Sequence, residues 1–412
     1  MSDAVSAAKA ESLLRVLLTG AQMLFVAFGA LVLVPLLTGL DPSVALFTAG
    51  AGTLLFHAVT RQSVPVFLAS SFAFIAPIQG SIASFGISAT MGGLMAAGLV
   101  YVVISQAVRL KGTVWLHRLL PAVVVGPVIM VIGLALAPVA VSMATGETSD
   151  NIDYGTAIFL SMTSLLVTLV LAVFGRGLLR LIPIMGGIVT GYGLALLMGA
   201  VDFTPVREAA WLAIPAFTAP SFHWAAILFM IPVAIAPAVE HIGDMVAIGS
   251  VTRKNYLETP GLHRTLLGDG LATTVAALLG GPPNTTYSEV TGAVTLTRAF
   301  NPLYMIVAAV LAVLLAFISK LGALLQTIPG PVMGGIMTLL FGSIAVVGMN
   351  TLVRAGHSLT APRNLVVVSL ILVFGIGGMQ FGEGQFTLQG VSLAALVGIV
   401  LNWVLPAAGE DE

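Results

Sequence analysis

Four carboxylates, Glu240, Asp244, Asp269 and Glu289, lie in stretches otherwise apolar enough to cross a lipid bilayer. An ionisable group inside a bilayer costs roughly 2.5–3.5 kcal/mol on insertion scales, so each is a functional candidate. Glu240 and Asp244 are four residues apart in Ile231-Pro-Val-Ala-Ile-Ala-Pro-Ala-Val-Glu-His-Ile-Gly-Asp-Met-Val246, which places them on one helix face. Two ionised carboxylates at that spacing repel in a low dielectric, so the pair is expected to hold at least one proton. That is raw material for proton coupling. His241 projects about 100° away from Glu240 and suits either packing on a neighbouring helix or relaying a proton. Asp269 sits near the start of its apolar run, where it serves chemistry or reaches toward water.

Glu289 follows a break. The stretch Gly280-Gly-Pro-Pro-Asn-Thr-Thr-Tyr-Ser-Glu-Val-Thr-Gly-Ala-Val-Thr-Leu-Thr-Arg298 stops one helix with two prolines and a double glycine, then restarts a short one. Irregular backbone at membrane depth is tolerated only where it is buried in protein or lines a cavity. A second short segment, 64–78, reads Val64-Pro-Val-Phe-Leu-Ala-Ser-Ser-Phe-Ala-Phe-Ile-Ala-Pro77 near its start, extended around Pro65 and helical after Ser71. Broken segments at matching places in two halves of a chain point to a transporter's midplane binding site.

The elements that must hold these residues are membrane spans. The chain has 412 residues, 58% hydrophobic and 8% charged, against roughly 25% charged in soluble domains. Apolar runs of about 20 residues are expected near 14–37, 43–60, 88–108, 119–143, 155–175, 179–201, 224–249, 263–280, 303–319, 328–349, 363–380 and 389–406. With segments 64–78 and 284–297 the expected total is about fourteen. Charge supports that count: with both termini cytoplasmic, all of the 16 basic residues except Arg207 and Lys320 fall inside. The cytoplasmic set runs from Lys9 and Arg15 through Arg118 and Arg180 to Arg354 and Arg363, while Asp150 and Glu383 are among the acidic residues outside. Segments 3 and 10 are the broken pair, each third in a set of seven. Because seven is odd, the halves enter the membrane in opposite directions, a 7+7 inverted repeat.

Other chemistries fare badly. A net charge of −1 argues against nucleic acid. There is no cysteine, and the histidines at 57, 117, 223, 241, 263 and 357 form no metal-binding or nucleophile motif. Asn284-Thr-Thr matches a glycosylation pattern at membrane depth and is discounted. A membrane enzyme would need a nucleophile–base pair or a metal, and a passive channel would need a ring of charge along a pore. The N-terminus lacks a cleavable signal pattern, so a bacterial inner (plasma) membrane is expected.

Several stretches together resemble the nucleobase–ascorbate transporter family (nucleobase:cation symporter-2), and especially its bacterial uracil permease branch. They are Gln22-Met-Leu-Phe-Val-Ala-Phe-Gly-Ala-Leu-Val-Leu-Val-Pro35, Ser70-Ser-Phe-Ala-Phe-Ile75, Glu240-His-Ile-Gly, Pro260-Gly-Leu-His-Arg264, Pro283-Asn-Thr-Thr-Tyr287 and Val332-Met-Gly-Gly335. The resemblance implies an all-α polytopic fold of fourteen segments with a core domain (13–110 and 224–320) and a gate domain (111–201 and 328–406). It implies that Glu240 and Glu289 hydrogen-bond the base. Ser71, Phe72, Tyr287 and Ser288 would line the pocket, with Ala30, Asp244 and Phe341 close by. It also implies a homodimer through the gate domain, no cofactor, and the proton gradient as energy source. Proton coupling is expected from Glu240, Asp244, Asp269 or His241. Asp244 stands where the uracil branch usually has histidine, Val290 where the family usually has asparagine, and Ser288 where the uracil branch often has glycine. The resemblance makes uracil the first expected substrate, and these departures keep xanthine, uric acid or another purine as the second. An anion carrier of similar architecture should show a basic residue at the broken helices, whereas Glu240 and Glu289 would repel an anion.

Overall fold

The computed structural model describes residues 13–112, 120–147, 152–177, 179, 182–356, 358–382 and 388–406. Lys9, His117, Arg118, Asp150, Arg180, His357 and Glu383 of the charge and histidine reading lie outside the described residues.

The first half contains α1 (Leu13–Thr38), α2 (Pro42–Val59), strand β1 (Leu68–Ser70), α3 (Ile75–Phe85) and α4 (Ile87–Lys111). It continues with α5 (Ala122–Ala135), α6 (Ala137–Ala144), α7 (Tyr154–Phe174), α8 (Pro183–Leu197) and the short α9 (Thr204–Glu208). The second half has α10 (Trp224–Met230), α11 (Ile235–Thr252), α12 (Leu262–Leu278), strand β2 (Asn284–Thr286) and α13 (Ser288–Thr297). It ends with α14 (Leu303–Ala316), α15 (Ser319–Gln326), α16 (Gly330–Ala355), α17 (Pro362–Ile376), the hairpin β3 (Gln380–Phe381) and β4 (Leu388–Gln389), and α18 (Gly390–Val404). Among the described residues six helices are long and apolar enough to cross a membrane, or seven with the bent pair α14–α15. The chain is a multi-pass membrane protein.

Local chemistry sets the helix ends. Asp41 starts α2 by accepting from the backbone N–H groups of Ser43 (2.6 Å) and Val44 (3.2 Å), with Pro42 in the first helical position. Asp153 starts α7 by accepting from Thr156 N–H at 3.0 Å. Several runs expected to be single spans are broken. The 224–249 run divides at Pro232 into α10, a tight turn over Pro232–Ala234, and α11, because proline removes a backbone donor and clashes with the preceding turn. The 119–143 run divides at Leu136, just before Pro138 takes the second position of α6. The 303–319 run bends by 84° between α14 and α15. The Phe317 carbonyl freed there accepts from Ala213 N–H at 3.1 Å. The helix expected to end near 78 continues to Phe85, where Gly86 at φ 81° closes it.

Two packed groups emerge. In the first, α2 and α4 lie against α12, α14 lies against α1 and α2, and α10 lies against α4. In the second, α5, α6 and α7 pack on α16, α8 on α7, and α17 and α18 on α5. Lipid tails are as apolar as leucine, so such contacts depend on close approach rather than escape from water. Glycine permits it in both groups. A Cβ on Gly270 would lie 2.9 Å from the Gly98 carbonyl, and one on Gly348 would lie 2.5 Å from the Gly126 carbonyl. A shared apolar cluster that includes Phe74, Ile78, Ile132, Phe229 and Val367 fills the seam between the groups.

Candidate functional site

The two broken segments meet. β1 and β2 pair antiparallel, with Leu68 opposite Thr286, Ala69 opposite Thr285 and Ser70 opposite Asn284. Ser71 N–H extends the ladder to the Pro283 carbonyl at 2.9 Å. A two-stranded ladder leaves outer backbone groups unpaired, which cannot be left so at membrane depth. Neighbouring helices satisfy them. Thr53 of α2 accepts from Leu68 N–H at 3.0 Å and stands 3.3 Å from the Leu68 carbonyl. On the other strand Thr273 of α12 donates to the Asn284 carbonyl at 2.9 Å, and Asp269 Oδ2 accepts from Thr286 N–H at 3.3 Å. His57 Nε2 lies 3.1 Å from the Val66 carbonyl.

Each strand then turns into a half-helix. One begins with the turn Phe72–Phe74 and continues as α3; the other is α13. The residues before them, Ser71 and Tyr287, are extended and make no side-chain capping bond. Neither helix is capped by the side chain of the residue before it, both start beside one cavity, and a helix N-terminus carries partial positive charge.

That cavity, of about 110 Å³, is lined by Ser70, Ser71, Phe72 and Ala73 from the first segment and Thr285, Thr286, Tyr287 and Glu289 from the second. Glu240 of α11 completes this side. The Phe72 and Tyr287 rings stand 6.2 Å apart at 49°. Opposite stand Ile129 and Ile132 of α5 and Ser343, Ile344 and Val347 of α16. A second cavity, of about 230 Å³, lies one turn further along the same seam: Ala76 and Pro77 follow Phe72 and Ala73, and Ala135 follows Ile132. Its walls also include Phe229, Gln389 and Ser392, and among the described residues no carboxylate.

The four membrane-depth carboxylates sort into two kinds. Glu240 and Glu289 are exposed to the cavity, whereas Asp244 and Asp269 are buried behind its wall. Asp244 Oδ2 accepts from Thr286 Oγ1 at 2.8 Å. Asp269 Oδ2 lies 2.9 Å from His241 Nδ1, both side chains wholly buried. Of the residues implied to line the pocket, Ser71, Phe72, Tyr287, Glu240 and Glu289 come together on its wall. Asp244, Ala30 and Phe341 are not on it: Ala30 is packed among α1 neighbours such as Met23 and Leu31, and Phe341 among Leu136, Leu160 and Ile188. The Ser288 side chain lies outside the described residues. The reading from sequence missed the apolar wall of α5 and α16, since isoleucine and valine carry no signal in a chain this apolar. It also missed Thr285 and Thr286, although they sit beside Tyr287 in the polar run.

Comparison with known proteins agrees with this architecture. The profile of the permease family that covers xanthine and uracil permeases matches residues 14–384. The "Probable uracil permease" of Pasteurella multocida is 58% identical over 94% of this chain and 93% of its own. The "Uracil permease" of Escherichia coli K12 is 38% identical over 97% and 94%. Among solved structures, the transmembrane domain of the cyanobacterial bicarbonate transporter BicA superposes with TM-score 0.67 at 17% identity, covering 94% of this chain and 96% of that one. The murine anion transporter Slc26a9 superposes with TM-score 0.72 at 10% identity, covering 96% and 68%; at such identities the likeness is one of fold. From the cavity between paired half-helices and from relatives matched over nearly the whole chain, the protein belongs to the permease family of nucleobase–ascorbate transporters and is a membrane transporter rather than an enzyme.

Proposed function

We propose that the protein imports uracil together with protons across a bacterial inner membrane, exposing one site alternately to either side. The observation that carries this reading is the pair Glu240 and Glu289 on one cavity wall beside two half-helix starts. Uracil is a small planar ring with two N–H donors and two carbonyl acceptors. Carboxylates accept from N–H groups, and the N–H groups leading the half-helices donate to carbonyls. The names of the relatives point to the same base. An anion, the cargo named for the two structural neighbours, would be repelled by both carboxylates. Asp244, which stands where the uracil branch usually has histidine, lies off the cavity wall and bonds Thr286, so that departure does not alter the wall the base would meet.

The first packed group would act as the core domain (13–110 and 224–320) and the second as the gate (111–201 and 328–406). Fourteen segments in a 7+7 inverted repeat, both termini cytoplasmic, would place the two half-helices head to head at the membrane midplane. Two cavities one turn apart on α3 and α5 suit a path closed between them, so that rocking of core against gate opens one end at a time. Pairing of two copies through the gate domain belongs to the same proposal. Proton movement would use Glu240, with Asp244, Asp269 and His241 behind it. The test is uptake of radiolabelled uracil into proteoliposomes under an imposed pH gradient, competed by unlabelled uracil or xanthine. Gradient-dependent uptake competed more strongly by uracil is expected; uptake of xanthine in preference, or indifference to the gradient, would refute it.

A further inference from the structure

Behind the cavity wall, where β2 faces α11 and α12, three buried titratable side chains converge on one threonine. Thr286 Oγ1 donates to Asp244 Oδ2 at 2.8 Å and lies 3.1 Å from His241 Nδ1. Its backbone N–H donates to Asp269 Oδ2 at 3.3 Å, and that same oxygen is 2.9 Å from His241 Nδ1. A hydroxyl has one proton. With that proton given to Asp244, its lone pair accepts from His241 Nδ1–H, which the hydrogen-bond pattern thereby assigns. His241 Nε2 and Asp269 Oδ1 are buried with no hydrogen-bond partner among the described residues, so the cluster keeps open positions for a proton.

Thr286 also belongs to the cavity wall. It is the residue through which the buried cluster reaches the site: Glu240 directly precedes His241 in α11, and Glu289 lies three residues beyond Thr286. The other titratable groups around the cluster are Glu240 itself, Glu289 and Tyr287 from the second broken segment, and Tyr101 from α4, which adjoins Gly270 of α12. The α5 residues packed on α11 carry no titratable group, and Glu258 in the turn after α11 is exposed.

We propose that Thr286 is a positioning residue of the transport site, its hydroxyl tying the placement of β2 and Glu289 to the protonation of the Asp244–His241–Asp269 cluster. This rests on the reading that Glu240 and Glu289 hold the base. A proton arriving on Asp244 converts a charged acceptor into a donor. With that proton on Oδ2, the Thr286 hydroxyl turns to accept from it, and β2 loses its charge-assisted hold on α11. Because β2 leads directly into α13, the turn moves the first residues of that helix, where the base is held. Beside Glu240, which meets the base directly, a proton on this buried cluster thus senses the base through the Thr286 side chain.

The test is uracil affinity of the purified full chain, measured from pH 5 to pH 9 for the parent, Thr286→Val, Thr286→Ser and Asp244→Asn. The parent affinity is expected to change with pH. Thr286→Val keeps the shape without the hydroxyl; it is expected to bind about tenfold more weakly at the parent's best pH and to lose most of the pH dependence. Thr286→Ser is expected to restore that dependence. Asp244→Asn, which weakens the hydroxyl's acceptor, is expected to flatten the profile as Thr286→Val does. A Thr286→Val protein with the parent's pH dependence, whatever its affinity, overturns the inference, as does an undiminished pH dependence in Asp244→Asn. A parent protein that binds no uracil at any pH instead brings down the site reading, and this inference with it.

Discussion

On one side of the cavity stand Glu240, Glu289, a row of hydroxyls and the starts of two half-helices; on the other stand Ile129, Ile132, Ile344 and Val347 with the hydroxyl of Ser343. Even that hydroxyl is engaged, donating to the Leu340 carbonyl of its own helix at 2.7 Å. One wall is thus polar and the other mostly apolar, so under the proposed function the first would recognise the ring and the second enclose it. The division follows from backbone. A wall that recognises must interrupt its helices, and interrupted helices at membrane depth need partners such as Thr53, Thr273 and Asp269 to satisfy the freed groups. The α5 and α16 wall keeps its helices through the cavity. A smooth apolar surface suits sliding contact, whereas a hydrogen-bonded one suits holding.

The largest expected effect comes from reversing the chemistry of the recognising wall. Glu289→Gln presents an amide donor where the proposed site must accept, and a buried mismatch of roughly 1–3 kcal/mol weakens binding by about five- to 150-fold. Isothermal titration with uracil measures it, and parental affinity in the variant would remove Glu289 from the site. Glu240→Gln should abolish pH-driven accumulation in proteoliposomes while base-for-base exchange continues. Accumulation that persists across an imposed gradient would shift coupling to Asp269 or His241. Phe72→Trp adds volume where the two broken segments approach, and should block uptake while the protein stays folded and monodisperse. Normal uptake by that variant would place the base elsewhere.

Changes to the enclosing wall should be gentler. Ile132→Ala opens space without removing a hydrogen bond, so uracil affinity should fall only a few-fold, while xanthine competes better than it does against the parent. A loss of uracil binding as deep as that of Glu289→Gln would mean that both walls recognise. The smallest effect is expected at the scaffold. Thr53→Val removes both contacts of the Thr53 hydroxyl to Leu68 of β1 and leaves a buried N–H without a partner, at a cost of roughly 1–3 kcal/mol; it should lower thermal stability with little change in transport.

Sequence alone made the polar wall of the cavity legible and the apolar wall invisible, for physical reasons. A carboxylate in an apolar span or a Pro-Pro break in a hydrophobic run is costly, so Glu240, Glu289 and the two broken segments stood out. Ile129 and Val347 cost nothing at membrane depth and look like every other lipid-compatible residue. The same limit explains Asp244. Its i, i+4 spacing placed it on the Glu240 face of the helix, but spacing cannot tell whether that face turns to the cavity or to β2, and β2 takes Asp244 through Thr286. The bend at Phe317 was also hidden. No proline marks it, and the donor that satisfies its free carbonyl comes from Ala213, over a hundred residues away in the chain.

The measurement that bears most directly on the asymmetry is uracil binding by two purified multiple variants. Glu240→Gln with Glu289→Gln alters only the recognising wall, and Ile129→Ala, Ile132→Ala and Val347→Ala together alter only the enclosing one. The account expects no measurable binding in the first and affinity within about tenfold of the parent in the second. Binding retained by the double glutamine protein, or lost only when the apolar wall is trimmed, would contradict it.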